Sequence, residues 1–311
     1  MNAVAVAIRI DIGICTFRRP ELETALLSLA MVDVPDGVSL RIIVADNDQT
    51  PSAAALVDSL RPRLPWGVIY VHCPAGNISI ARNACLDASD ADYLAFIDDD
   101  ETATESWLNQ LVTTALESGA DAVLGPVHAG YDESAPGWMR QGDFHSTFPV
   151  FVDGEIRTGY TCNVLLNLRA SRIAGRRFNL ALGKTGGEDT EYFTHIYRTG
   201  GKIAYAPEAL LYEPVPAPRA RFGWLAKRRY RMGQTHGRLV AEGAGPLAKA
   251  KSLIIAAAKA VFCFAVALVL VFFPVRRNRY VLRGILHIGA LFGILGFREI
   301  HQYGSLEVAS P

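Results

Sequence analysis

Cysteine is sparse and scattered: Cys15, Cys73, Cys85, Cys162 and Cys263 lie far apart, with no CxxC spacing among them. That argues against a cysteine-built metal site and makes a reducing compartment the simpler setting. His128, His145, His195 and His236 form neither an HxxxH pair nor a His/Cys cluster, so zinc-dependent hydrolysis has no support. A GxxxxGK[ST] phosphate loop is also missing, because Gly183-Lys184-Thr185 has the wrong glycines and helix context. Cys162 has no motif-level base partner and reads as a packed cysteine. The apolar stretch 4–14 lacks a basic leader and is interrupted by Arg9 and Asp11, so it reads as strand rather than secretory signal.

Net charge is also absent, since 31 Lys and Arg balance 31 Asp and Glu, but the balance is not local. Between Arg219 and Arg283 there are 14 Lys or Arg and one acid, Glu242. Such a tail faces something anionic, a membrane or a nucleic acid. With 311 residues, the chain accommodates one catalytic domain plus an appendage.

Along the first hundred residues, β-branched runs at 10–16, 40–45, 68–71 and 93–97 alternate with helical spacing at 22–31, 51–60 and 79–86. This alternation predicts a doubly wound, mainly parallel sheet. A helix is expected at 105–118, strands at 123–127 and 164–168, and a helix through Tyr192, Phe193, Ile196 and Tyr197, followed by a strand at 202–205. Residues 131–156 read as a long irregular surface segment, and Pro207, Pro214, Pro216 and Pro218 keep the chain beyond strand 202–205 irregular.

Residues 253–273 carry one charge, Lys259, and are long enough to cross a hydrocarbon core of about 30 Å. Basic residues flank them on both sides, so charge bias sets no orientation. A second apolar segment, 280–297, carries Arg283 and His287; it spans as the return arm of a hairpin or lies in the interface.

Two strands end in acids: 40–45 in Asp46-Asn47-Asp48, and 93–97 in Asp98-Asp99-Asp100. Clustered carboxylates at strand ends mark where an open α/β sheet takes its ligand, and their repulsion calls for a cation, hydrogen bonds or water. A solvated acidic loop is the plain alternative. Arg82, on a short helix, is either a surface cation or a fixed donor set for phosphate oxygens. Glu188 and Asp189 follow Gly186-Gly187 at a helix start, where acids also serve simply as caps.

Taken together, Gly13-Ile14-Cys15-Thr16-Phe17-Arg18-Arg19-Pro20, Val44-Ala45-Asp46-Asn47, Gly76-Asn77-Ile78-Ser79-Ile80-Ala81-Arg82-Asn83, Phe96-Ile97-Asp98-Asp99-Asp100 and Gly186-Gly187-Glu188-Asp189 resemble the inverting family 2 glycosyltransferases, in particular their bacterial exopolysaccharide branch. The resemblance covers roughly residues 8–240. It implies an α/β GT-A (nucleotide-diphospho-sugar transferase) fold with a C-terminal helical membrane-associated segment. The implied division is a catalytic domain at 1–218, a basic helical linker at 219–251, membrane-associated helices at 252–298 and a tail at 299–311.

The resemblance also implies roles. Asp46 contacts the uracil ring, with Thr16, Phe17, Arg19 and Asn47 lining the nucleotide-sugar site. Arg82 contacts the nucleotide or braces the acidic loop. Asp98-Asp99-Asp100 looks like the DxD motif, with Asp100 as direct ligand of Mg²⁺ or Mn²⁺, Asp98 on ribose or the metal shell, and Asp99 on the nucleotide sugar. Asp189 matches the base that deprotonates the acceptor hydroxyl, with Glu188 beside it. Gly187, Arg228 and Arg231 fall on the acceptor or phosphate side. The QxxRW motif of processive members is missing, because Gln234 is followed by Thr235-His236-Gly237-Arg238, which argues for one sugar per binding event.

The expected activity is therefore transfer of one hexose, glucose favoured, from a UDP-sugar to a lipid-linked saccharide. The setting would be the bacterial inner membrane, with a cytoplasmic catalytic domain and no nucleic-acid partner. A nucleotidyltransferase would need an early glycine-rich phosphate loop, for which Phe17-Arg18-Arg19-Pro20 is a poor candidate. A membrane-bound scaffold or nucleic-acid-binding protein would leave the acidic strand ends unexplained.

Overall fold

The computed structural model describes residues 8–300, so most of the expected tail at 299–311 lies outside the described residues, as do residues 1–7. The chain forms two compact units: one of residues up to 128 with 146–184 and 188–213, the other of 129–145, 185–187 and the chain from 214.

The first unit opens with β1 (Ile8–Thr16), α1 (Leu22–Leu29), β2 (Val38–Asp46), α2 (Ala54–Leu60), β3 (Gly67–His72), α3 (Ile78–Ala88) and β4 (Tyr93–Asp98). Along the chain there follow β5 (Thr102–Ala103), α4 (Trp107–Ser118), β6 (Ala122–Leu124) and β7 (Val127–Tyr131), then α5 (Gly137–Gly142), which belongs to the second unit, and β8 (Phe151–Val152), β9 (Glu155–Ile156) and β10 (Asn163–Asn167). Helix α6 (Glu188–Arg198) and strands β11 (Ile203–Tyr205) and β12 (Leu211–Val215) come next. The main sheet has the order β11-β6-β10-β4-β1-β2-β3. Pairing is parallel from β4 through β1 and β2 to β3, while β10 runs antiparallel to both β4 and β6.

The strands read as continuous apolar runs because both faces are covered. On one face Ile12, Ile14, Val44 and Ile97 pack with Leu26, Leu108 and Leu111. On the other, Ile43, Leu94 and Phe96 pack with Ala81, Cys85, Tyr192 and Phe193. Gly13 is where the second layer comes closest, since a Cβ there would sit 3.0 Å from the Phe96 ring.

Three expectations are corrected locally. The strand expected over 123–127 stops at Leu124, because a Cβ at Gly125 would lie 2.5 Å from the Ala209 carbonyl and Pro126 follows. Within 131–156 lie α5 and a β8–β9 hairpin, whose turn at Asp153-Gly154 has φ of 54° and 82°, as a type I′ turn requires. The proline-rich stretch after 207 still forms β12, which pairs with β5 through Leu211 and Tyr212, ahead of Pro214.

The second unit contains α7 (Phe222–Ala241), α8 (Pro246–Val269) and α9 (Pro274–Ile294). The expected basic linker thus forms α7 and the opening of α8. Helices α7 and α9 meet through facing Gly-xxx-Gly pairs. A Cβ at Gly233 would lie 2.0 Å from the Leu286 carbonyl oxygen, and one at Gly289 2.0 Å from that of Tyr230. Gly237 meets Ala290 and Gly293 meets Gln234, so the two helices run parallel. Helix α8 buries the small residues Ala256, Ala260, Cys263 and Ala267.

Candidate active site

Register places the acidic strand ends side by side. Thr16 at the end of β1 pairs with Asp46 at the end of β2, and Cys15 pairs with Asp98 at the end of β4. The polar ends of three neighbouring strands therefore share one edge of the sheet, where an α/β fold binds its ligand.

Asp46 is fully buried and accepts hydrogen bonds from the Asp48 amide at 3.0 Å, the Ala53 amide at 2.8 Å and the Tyr70 hydroxyl at 2.7 Å. Its carboxylate thereby closes the loop between β2 and α2. Burial and this carboxylate push the Tyr70 phenol above its ordinary range. The Asn47 amide donates to the Thr16 carbonyl at 2.9 Å, tying the two strand ends together. The Thr16 hydroxyl sits against Asp99, whose anion it favours, and among the described residues the buried Asn47 side-chain oxygen has no hydrogen-bond partner. Phe17 is exposed. Arg18, at φ 54°, donates to Asp48 at 2.8 Å, and this bond holds the Asp48 carboxyl down at about 2.

At the acid triplet the balance reverses. Burial, with the like charge of Asp100 and its neighbours, pushes both Asp98 and Asp99 up to about 7, although Arg82 opposes the rise at Asp98. Arg19 lies 4.0 Å from Asp99 and 3.7 Å from Asp100. Glu101 is buried beside them; one of its oxygens accepts the Asp98 amide at 2.8 Å and the other has no partner. Burial, then the charges of Asp98 and Glu213, raise the Glu101 carboxyl well above its ordinary value.

Arg82 links this triplet to α6. The guanidinium is buried, donates to Glu188 and stands 5.6 Å from the centroid of the Phe178 ring. Burial alone would lower the Arg82 guanidinium, but the charges of Glu188, Asp98 and Asp189 outweigh it and raise it. Glu188 is itself raised, by burial and then by Asp189, with Arg82 opposing. Asp189 is half-buried at the start of α6, where one oxygen accepts the Thr190 amide at 2.6 Å. Helix α3, which presents Arg82, is fixed by its Asn77 cap: the Asn77 side chain accepts the Ser79 amide at 3.0 Å and donates to the Leu180 carbonyl at 2.9 Å.

The first unit thus brings together Thr16, Phe17, Arg19, Asp46, Asn47, Arg82, Asp98, Asp99, Asp100, Glu188 and Asp189. Gly187, Arg228 and Arg231 belong to the second unit. There Gly186 and Gly187 have φ of 87° and 91°, and a Cβ at Gly186 would fall 1.6 Å from the Arg231 guanidinium. Arg231 donates to the Thr185 carbonyl at 2.9 Å, and Arg228 lies 5.3 Å from the centroid of the Trp224 ring. Sequence reasoning passed over Glu101 and Tyr70. Glu101 was visible as the fourth acid of the run, whereas nothing local marks Tyr70.

Residues 11–177 match the family described as glycosyl transferase family 2. The chain is 57% identical over 303 residues to the succinoglycan biosynthesis protein ExoM of Rhizobium meliloti (strain 1021), covering 97% of this chain and 98% of that protein. The fold resembles that of the mannosyltransferase PcManGT from Pyrobaculum calidifontis, solved with GDP-Man and Mn²⁺, at 17% identity and a TM-score of 0.61, over 93% of this chain and 87% of that one. It also resembles S. aureus TarS: the likeness covers 91% of this chain and 92% of the 1–349 structure, at 16% identity and a TM-score of 0.53. Against the longer TarS chain it spans about half the length, 52%, at 17% identity and a TM-score of 0.52, over 91% of this chain.

Proposed function

The chain belongs to glycosyltransferase family 2, and from that premise we propose that it is an inverting hexosyltransferase of succinoglycan-type polysaccharide synthesis. It moves one hexose, glucose favoured, from a UDP-sugar to a lipid-linked oligosaccharide at the cytoplasmic face of the bacterial inner membrane. The observation that carries this reading is buried Arg82, which holds Glu188 while within electrostatic reach of both Asp98 and Asp189. One guanidinium therefore couples an acidic strand end suited to a donor diphosphate with the carboxylate suited to an acceptor hydroxyl.

Asp46 shapes the β2 loop that would receive the base, and the Asn47 side-chain oxygen, without a partner among the described residues, offers an acceptor beside it. Asp98, Asp99 and Asp100 fit a hard divalent cation, Mg²⁺ or Mn²⁺, because the carboxyls of Asp98 and Asp99, pushed up to about 7 by burial and like charge, gain from a counter-ion. Among the described residues no three Asp, Glu, His or Cys side chains form a cage, consistent with a hard ion shared between one or two carboxylates and substrate phosphates. When bound, such an ion stabilises charge on a departing diphosphate. Arg19, within 4.0 Å of Asp99 and Asp100, is a second cation in reach of the same charge.

Asp189 takes the acceptor proton as the hydroxyl attacks the anomeric carbon from the face opposite UDP. A carboxylate is a weak base toward a sugar hydroxyl, so proton transfer accompanies bond formation rather than preceding it. Helix α8 is long and apolar enough to cross a membrane, and Ile254, Val261, Phe262, Leu268 and Val269 expose apolar surface for lipid. In this reading a catalytic domain to 218 is followed by a basic helical linker at 219–251 and membrane-associated helices at 252–298.

A screen of UDP-sugars with polyprenyl-diphosphate saccharide acceptors, with and without Mn²⁺ and with Asp189→Asn, tests the reading. Transfer requiring both the cation and the Asp189 carboxylate supports it; transfer surviving the loss of both overturns it.

A further inference from the structure

Two arginines on the helices of the second unit, Arg229 and Arg283, carry charge that no described carboxylate pairs. Arg229 on α7 is half-buried, and its guanidinium has only a weak 4.0 Å contact with the Met232 sulfur. Among the described residues, neither Arg229 nor Arg283 forms an ion pair with an acid, whereas Arg238 further along α7 pairs with Glu299 at 2.8 Å.

The α7–α9 register explains why these cations meet. Gly289 faces the Tyr230 carbonyl and Gly233 faces that of Leu286, so Arg283 lies opposite the turn of α7 that carries Arg229. Burial, then the positive charges of Arg228 and Arg283, lower the Arg229 guanidinium below its ordinary value. Arg283 is also within electrostatic reach of His287, as is Lys259 from α8. Lys259 reaches His236 on α7 as well. Glycines in backbone contact fix the helix spacing, so the cations cannot separate by sliding. Like charges held this way are relieved by an anion. Helix α8, which brings Lys259, exposes Val261 and Phe262 within a turn of it, so the anion that fits has an apolar portion.

We infer that Arg229 and Arg283, with Lys259, form a binding site for the phosphate of a membrane lipid whose chain lies along α8. Two guanidinium forks on facing turns of α7 and α9 suit phosphate oxygens better than any neutral headgroup. This deepens the lipid-linked acceptor reading above and rests on it, because it names the part of the second unit that holds the lipid phosphate.

The test uses the full chain and flotation with phosphatidylcholine vesicles, with and without phosphatidic acid. Arg229→Gln with Arg283→Gln is expected to weaken binding to phosphatidic acid vesicles by on the order of a hundredfold, because it removes charge-assisted hydrogen bonds to the phosphate and not only surface attraction. Lys249→Gln with Lys251→Gln, the same charge change at the exposed start of α8, is expected to cost clearly less. Thermal unfolding in neutral detergent reads the site differently. Phosphatidic acid raises the midpoint of the wild type and not of the double arginine variant, and that variant alone unfolds no lower than wild type. Equal losses in the two pairs, or a variant that unfolds lower without lipid, overturn the site. Displacement of the lipid by equimolar inorganic phosphate overturns the lipid assignment. UDP-glucose hydrolysis by the same preparations reports the catalytic unit. Lipid binding intact without turnover refutes the transferase reading alone, and turnover with arginine-independent binding refutes this site alone.

Discussion

Replacing Arg82 by Met should expose how the acids of the first unit are held. The guanidinium is 8% exposed, its partner Glu188 is 5% exposed, and it faces Asp98 and Asp189 as well. Methionine matches its stem but supplies no charge, so Glu188 would be left as a buried carboxylate beside Asp189. Breaking one side of a buried ion pair costs about 3–5 kcal/mol, mostly as the penalty of the stranded charge. At roughly 2–4 °C per kcal/mol for a unit of this size, the midpoint of thermal unfolding should fall by about 6–20 °C. Adding Glu188→Gln removes the stranded charge, so the double variant should recover most of that loss. The assay is thermal unfolding of wild type, both single variants and the double, arranged as a double-mutant cycle. A loss below about 1 kcal/mol for Arg82→Met, in the range of a surface ion pair, would refute the reasoning. So would a double variant no more stable than Arg82→Met.

Asp189→Asn removes a base without changing shape, so sugar transfer should fall by about 10²–10⁴-fold while UDP-sugar binding, followed by calorimetry, stays within a few-fold. His145 gives a pH prediction. Its Nε2–H donates to the Arg219 carbonyl at 3.1 Å, and its Nδ1 accepts the Tyr131 hydroxyl at 2.9 Å, because that hydroxyl already accepts the Phe144 and His145 amides. Burial and then the nearby arginines Arg228, Arg219 and Arg229 bring His145 down to about 4, so the folded state favours neutral imidazole. Stability is then fully present above about pH 6.5 and falls by roughly 3 kcal/mol as pH drops toward 4, a loss that urea titrations should find absent in His145→Gln. Gly289→Val places side-chain atoms where the Tyr230 carbonyl oxygen stands, 2.0 Å from the Cβ position. It should separate α7 from α9 and lower the unfolding midpoint, whereas Gly245→Val, where a Cβ meets nothing within 4 Å, should not.

Much of the site could be read from the chain because its parts are local. The runs ending at Asp46 and Asp98 show both a strand and its polar terminus within a few residues, and Glu188-Asp189 shows a helix start. Local pattern does not carry direction, so the expected mainly parallel sheet contains β10, whose antiparallel course between β4 and β6 is set by packing on both neighbours. Nor could pattern show that a carboxylate at a strand end is already spoken for. Asp46 looks available in sequence, yet Tyr70, 24 residues on, donates to it at 2.7 Å.

By itself the sequence determined the alternation of strands and helices, the acids at their ends and the apolar stretch of α8, all of which depend on neighbours within one or two turns. Tertiary structure alone decided which charges meet. Glu188 is 106 residues from Arg82, and Arg283 reaches Arg229 only because Gly233 and Gly289 let two helix backbones touch. The physical reason is that charge acts through space at full strength only where water has been removed, and folding determines which pairs of residues lose their water together.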